Sequence, residues 1–146
     1  MRYPLSLCVA AAILGLPALA GAQPARVNVY TYDFEFSINP PGQPIVNPVI
    51  NVGDLIVWII VDDFHNTVAA AGQAEFWDTP IMFAGDSFEY VFTIPGTYNY
   101  YCLPHGSDNG DGTVTGMSGK VTVLPAPAPL ALFGSSALLA TRRRRR

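Results

Sequence analysis

Four side chains that could bind a soft metal ion occur in this chain in a pattern typical of a single site. His105 lies three residues after Cys102, Met117 follows later, and His65 lies far upstream. A thiolate, two imidazoles and a thioether form a nitrogen-and-sulfur ligand set, which suits copper cycling between Cu(I) and Cu(II) with the thioether as a weak axial ligand. The sequence therefore predicts a copper site at these four residues.

Three other uses of these residues compete with copper. Structural zinc needs four strong ligands, usually with paired cysteines; here Asp108 or Asp111 would have to supply the fourth, so zinc stays open. A Cys–His nucleophile pair is disfavoured because no pocket or oxyanion motif accompanies it, and we predict no enzyme. The Gly/Asp/Asn-rich residues 106–116 are expected to be a long loop, and residues 107–112 faintly resemble a calcium loop that lacks its later glutamate.

Both ends of the chain carry patterns of export rather than of folding. Residues 1–22 begin with a single arginine, continue with an apolar run over residues 5–19 and end in small residues, which is typical of a secretory signal peptide. Residues 125–146 combine a proline-alanine spacer, an apolar segment and five terminal arginines. Arginines on the cytoplasmic side would hold such a tail transiently in the inner membrane. One domain is predicted between them, at residues 23–124.

The predicted domain is strongly acidic. It contains all eleven acidic residues of the chain but only Arg26 and Lys120 among the basic ones, so its net charge is −9. This charge disfavours nucleic acid as a partner and favours a basic partner protein. Because the other cysteine, Cys8, lies in the predicted signal peptide, Cys102 has no partner for an internal disulfide. An unpaired thiol in an oxidising compartment favours metal ligation.

Short apolar segments separated by glycine and proline predict an all-β domain. Residues 27–36 alternate in polarity, with Tyr30, Tyr32, Phe34 and Phe36 on one face. The β-branched run at residues 55–61 is expected to be a strand buried on both faces. Further strands are predicted at residues 45–50, 88–93, 97–102 and 120–124, while residues 69–78 are expected to be a loop or one helical turn. This pattern indicates a β-sandwich or barrel with Greek-key connections.

Motifs along most of the domain resemble the cupredoxins of the plastocyanin/azurin group. The matching segments are residues 51–54, 64–66, 85–88, 96–106 and 116–121, which include the Tyr-x-Cys-x-x-His block and the upstream His-Asn pair. The resemblance implies a Greek-key β-sandwich and a type 1 copper centre. His65, Cys102 and His105 would be the equatorial ligands and Met117 the axial one. It also implies one-electron transfer with a redox partner protein; copper sequestration at the cell surface is the alternative.

The C-terminal tail resembles sorting signals of the PEP-CTERM type, which exosortases cleave, although its spacer lacks the glutamate of that motif. This resemblance implies an exported protein, in the periplasm or at the cell surface after processing. A monomer is expected.

Overall fold

The structure is a computed structural model that describes residues 23–126. The predicted signal peptide at residues 1–22 and the predicted tail beyond residue 126 lie outside the described residues. Within residues 23–126, no helix has the length and apolar character needed to cross a bilayer.

The described residues form eight β-strands in two sheets and no helix, which confirms the all-β prediction. The strands are β1 (Arg26–Tyr32), β2 (Glu35–Ser37), β3 (Val49–Asn51), β4 (Leu55–Ile60), β5 (Val68–Ala69), β6 (Ser87–Val91), β7 (Gly96–Asp108) and β8 (Val114–Leu124). One sheet has the order β2-β1-β4-β6 and the other β3-β8-β7-β5. Strand β4 is parallel to β1 and β8 is parallel to β3, whereas the other neighbours are antiparallel.

The core lies between the sheets and is rich in aromatic side chains. Trp58 on β4 is fully buried and meets Tyr100 on β7 edge to face, with ring centroids 5.5 Å apart. The β-branched run of β4 is buried at most positions, as predicted, and it ends at Ile60. Tyr98, Tyr100 and Cys102 all point into this core, because alternate residues of a strand share a face. Packing in this core therefore fixes the position of the Cys102 side chain in the protein interior.

The prediction of one continuous strand over residues 27–36 was wrong. The chain reverses at Asp33 and Phe34, which both have positive φ angles (45° and 66°), and β2 then pairs back onto β1. Two positive φ values in a two-residue connection are the signature of a type I′ hairpin turn. The buried face of β1 is formed by Val29 and Thr31, and Phe34 is exposed at the turn.

The prediction of a long loop at residues 106–116 was also wrong, because β7 and β8 continue through it as an antiparallel hairpin. Gly106 pairs with Gly116, and Asp108 pairs with Val114 across the hairpin end. The pairing is interrupted only between Tyr101 and Gly106, where the register shifts. Residues 69–78 contain no helical turn; Ala69 ends β5, and residues 70–78 form the loop that follows it. The hairpin fixes the position of residue 117 relative to the Cys102–His105 segment.

Candidate metal centre

Cys102 lies near the irregular part of β7 and is fully buried. Burial raises the pKa of its thiol, although the backbone N–H groups of Asn66 and His105 oppose that shift. The N–H of Asn66 points to the sulfur at 3.5 Å. The thiol is therefore inert by itself, and a cation beside it would favour the thiolate that binds metals.

His65 is held between the two sheets by its own backbone. Its carbonyl accepts a hydrogen bond from the N–H of Met82 at 2.7 Å, and its N–H donates to the Met82 carbonyl at 3.2 Å. Met82 is buried. The preceding residue, Phe64, has a φ of 72°, which turns the chain so that the His65 ring enters the interior. Only 3% of the His65 surface is exposed.

The three nitrogen and sulfur donors form a compact triangle. The Cys102 Sγ lies 3.7 Å from His65 Nδ1 and 3.4 Å from His105 Nδ1, and the two nitrogens are 3.2 Å apart. A point equidistant from the three atoms lies about 2.0 Å from each, close to the ~2.0–2.1 Å of zinc–imidazole bonds. Three donor atoms that converge on one point in this way indicate a place for a cation.

His105 occupies the outer side of this triangle. Its ring is partly exposed and meets the edge of Phe34, with ring centroids 4.6 Å apart and planes at 83°. Desolvation and the neighbouring His65 lower the pKa of His105, while Asp62 acts in the opposite direction. The lowered pKa keeps the imidazole neutral, so that its lone pair is available to a metal ion.

Asn66 ties the two donor segments together. Its side-chain oxygen accepts a hydrogen bond from the N–H of Leu103 at 2.7 Å, and its amide group donates to the Thr79 carbonyl at 3.1 Å. With its backbone N–H directed at the Cys102 sulfur, the buried Asn66 satisfies groups on both sides of the site. The segments that carry His65 and Cys102 are thereby fixed to each other.

Met117 lies in the interior opposite the donor segment. The pairs Tyr101–Ser118 and Gly106–Gly116 flank it on β8, so it faces the residues between Tyr101 and Gly106. Its side chain belongs to the same buried cluster as Cys102 and is 2% exposed. Although it lies one residue after Gly116 and two before Gly119, Met117 is part of a strand and not of a loop.

Comparison with known proteins agrees with this geometry. The profile of copper binding proteins of the plastocyanin/azurin family matches residues 47–124. The chain therefore belongs to this family. A chloroplastic plastocyanin of Oryza sativa subsp. indica is 39% identical over 56 residues, which cover 38% of this chain and 29% of that protein. The plastocyanin of Dryopteris crassirhizoma is 38% identical over 65 residues, which cover 43% of this chain and 64% of that protein. The chain thus spans less than a third of the length of the rice relative.

Solved structures support the same fold. A reduced mutant of amicyanin is 26% identical with a TM-score of 0.50, over 71% of this chain and 86% of that one. A copper-containing nitrite reductase from Thermus scotoductus is 23% identical with a TM-score of 0.51, over 77% of this chain and 25% of that enzyme, which shows the shared fold alone.

Copper is the cofactor of this cupredoxin, and the donors present suit it. Two imidazoles and one thiolate in a trigonal arrangement match the equatorial set of blue-copper sites. The carboxylates that would favour zinc lie elsewhere: among residues 23–126, the clustered metal-binding side chains are His65, Cys102 and His105. Asp108 instead accepts hydrogen bonds from the N–H groups of Ala71 and Gly110.

Sequence reasoning missed two residues of the cupredoxin centre. Asp62 has a carboxylate oxygen 2.9 Å from His65 Nε2. Phe34, expected inside a strand, lies over the ring of His105. No local pattern would have identified Asp62, whereas the Asp33–Phe34 dipeptide was a weak turn signal because aspartate tolerates positive φ.

Proposed function

We propose that His65, Cys102 and His105 are the equatorial ligands of a type 1 copper ion, with Met117 as the axial ligand, and that the protein carries single electrons. The observation that supports this most directly is the meeting of three donor atoms, from segments far apart in the chain, within 4.8 Å of one another. A bound copper ion supplies a one-electron Cu(I)/Cu(II) couple.

The surroundings of the donors suit electron transfer because they limit motion and leave one edge accessible. Asn66 and the Met82 pairing hold the donors in one geometry, which a low reorganisation energy requires. His105 is partly exposed, and its neighbours Leu103 and Phe34 are 60% and 62% exposed. An electron would thus enter or leave through the edge of the His105 ring, beside an apolar surface on which a partner protein can rest.

The partner is proposed to be a basic redox protein, because the predicted domain carries a net charge of −9. Opposite charge accelerates encounter at low ionic strength. The chain is proposed to act as an exported monomer without enzymatic activity. Residues 1–22 direct export to the periplasm or cell surface, and residues 125–146 contact the inner membrane before cleavage. Recovery of secreted protein that still ends in its five arginines, detected by mass spectrometry, would contradict cleavage.

Adding Cu(II) to the purified protein tests the ligand assignment. We expect an intense visible thiolate-to-copper band that disappears in Cys102→Ser, since a hydroxyl cannot replace the thiolate. Met117→Leu should shift the band and the reduction potential, whereas the matched control Met82→Leu, at the other buried methionine, should change neither. A colourless complex of the wild-type protein, or a band that survives Cys102→Ser, would refute the assignment.

Electron exchange is tested separately from copper binding. Stopped-flow mixing of the reduced copper protein with a basic cytochrome should give rapid oxidation at low ionic strength. A protein that forms the visible band yet exchanges no electrons with any small or protein oxidant would favour copper sequestration instead.

A further inference from the structure

We propose that Asp62 is a positioning residue of the copper centre, whose carboxylate holds the His65 ring with one oxygen and the turn carrying Phe34 with the other. This inference rests on the proposed role of His65 as a ligand through Nδ1. It assigns a task to a side chain that lies outside the donor set.

The first contact fixes the protonation and orientation of His65. Its Nδ1 faces the other donors, 3.7 Å from the Cys102 sulfur, and its Nε2 lies 2.9 Å from Asp62 Oδ1. A neutral imidazole that offers a lone pair at one nitrogen carries its proton on the other. That proton therefore faces the carboxylate. Asp62 Oδ1 is shielded from solvent and, apart from this 2.9 Å ion-pair contact with His65 Nε2, has no hydrogen-bond partner within residues 23–126. The His65 ring nitrogen is thus the polar group in contact with this buried oxygen.

The second contact fixes the hairpin turn between β1 and β2. Asp62 Oδ2 accepts a hydrogen bond from the backbone N–H of Asp33 at 3.0 Å. The next residue, Phe34, has a φ of 66°, which is unfavourable for a bulky side chain, and strained residues persist where their surroundings hold them. Its ring contacts His105 at 4.6 Å and lies 6.3 Å from His65, edge to face in both cases. Asp62 thus acts on His65 directly and on His105 through Phe34.

A carboxylate behind a ligating imidazole has a definite chemical effect. Hydrogen bonding to the outer nitrogen fixes the ring and raises the basicity of the ligating nitrogen. The added negative charge favours the more highly charged metal ion. Asp62 should therefore strengthen the binding of Cu(II) more than that of Cu(I), and so lower the reduction potential of the protein.

Asp62→Asn tests this inference because an amide has one acceptor oxygen and cannot serve both Asp33 and His65. In protein produced from the full chain, we expect Cu(II) affinity, measured by chelator competition, to fall by about tenfold to a hundredfold. The Cu(I) affinity should fall less. Each tenfold fall in the ratio of Cu(II) affinity to Cu(I) affinity raises the midpoint potential by about 59 mV.

The matched control is Asp63→Asn. It removes the same charge from the adjacent residue, whose carboxylate accepts a hydrogen bond from the N–H of Ala84 rather than from a histidine. In Asp63→Asn the ratio of Cu(II) affinity to Cu(I) affinity should change by less than about threefold, because exposed charges are well screened. Equal changes in the two variants, or an unchanged ratio in Asp62→Asn, would overturn the proposal.

A third variant keeps the test decisive if Asp62→Asn does not fold. Asp62→Glu retains the charge on a longer side chain that moves the carboxylate out of its two contacts. Its ratio of Cu(II) affinity to Cu(I) affinity should fall below the wild-type ratio by less than about tenfold. An unchanged ratio, or a larger fall, would count against the inference. If the wild-type protein shows no visible band that depends on Cys102, the proposed function itself fails. If that band is present and the Asp62 variants leave the ratio unchanged, only the role of Asp62 is refuted.

Discussion

Gly116 on β8 pairs with Gly106 on β7 beside the donors, and the two backbones approach closely there. Gly116→Ala is therefore a sensitive test of the fold around the site. Gly116 has a φ of 73°, where a side chain costs about 1–2 kcal/mol. A methyl group there would lie 2.4 Å from the His105 carbonyl oxygen and 2.8 Å from the Gly106 Cα, both backbone atoms that move only together with the strand. Such overpacking adds about 1–3 kcal/mol. The expected loss of unfolding free energy is therefore about 2–5 kcal/mol.

Gly110→Ala is the matched control because it separates backbone strain from collision. Gly110 has a φ of 79°, yet a methyl group there would meet nothing within 4 Å. Urea unfolding of the copper-free proteins should show a loss of about 1–2 kcal/mol for this variant. Only Gly116→Ala should also weaken Cu(II) binding, because it displaces the backbone of His105. Equal losses of stability in the two variants, with unchanged copper affinity, would refute the close approach of β7 and β8 at Gly106 and Gly116.

Three further predictions concern stability and encounter. Hydrogen bonds from the backbone N–H groups of Asn51 and Ala25 lower the pKa of Asp54. The stabilisation by Asp54 is therefore present above the unfolded pKa of about 3.9 and is lost as the pH falls through the lower folded pKa. In urea unfolding, Asp54→Asn should lower the unfolding free energy by about 2 kcal/mol at pH 6, with a smaller difference from wild type at pH 3. Glu75→Ala should lose about 2–4 kcal/mol, because one of its oxygens accepts hydrogen bonds from both the N–H and the hydroxyl of Thr93, and an unchanged midpoint would contradict this. Raising ionic strength should slow oxidation by a basic partner, and a rate independent of salt would exclude electrostatic steering.

The donor residues were predictable because their signals are mostly local. The alternation of Tyr98, Tyr100 and Cys102 placed the cysteine on a buried face, and the structure confirms their burial. His105 follows three residues after Cys102, so a single short segment carries two donors. His65 could be connected to them only through its residue type and its position after a buried strand. Its approach depends on pairing with Met82, which is a tertiary contact.

The errors in the fold came from turns that keep or disguise the strand pattern. A two-residue turn at Asp33–Phe34 leaves the alternation of polarity almost intact, and no glycine marks it, so one strand and a hairpin look alike. In residues 106–116 the opposite occurs, because glycine and aspartate resemble a loop. Gly110 and Gly112 have the positive φ values that close a hairpin end, and the Asn109 side chain donates to Thr113 across it.

The contrast between Asp62 and Asp63 shows what sequence alone omits. The two residues are chemically identical neighbours after the same strand, yet one faces His65 Nε2 and the turn at Asp33, whereas the other binds Ala84. Nothing in composition or spacing distinguishes them, because the choice depends on where the β1–β2 hairpin meets this loop. The residue before His65 adopts a positive φ at the same place, so the backbone conformation of one loop decides both the entry of the ligand and the acid that supports it. A sequence can therefore identify the residue types of such a cluster, while the neighbours that contact them follow from loop conformation.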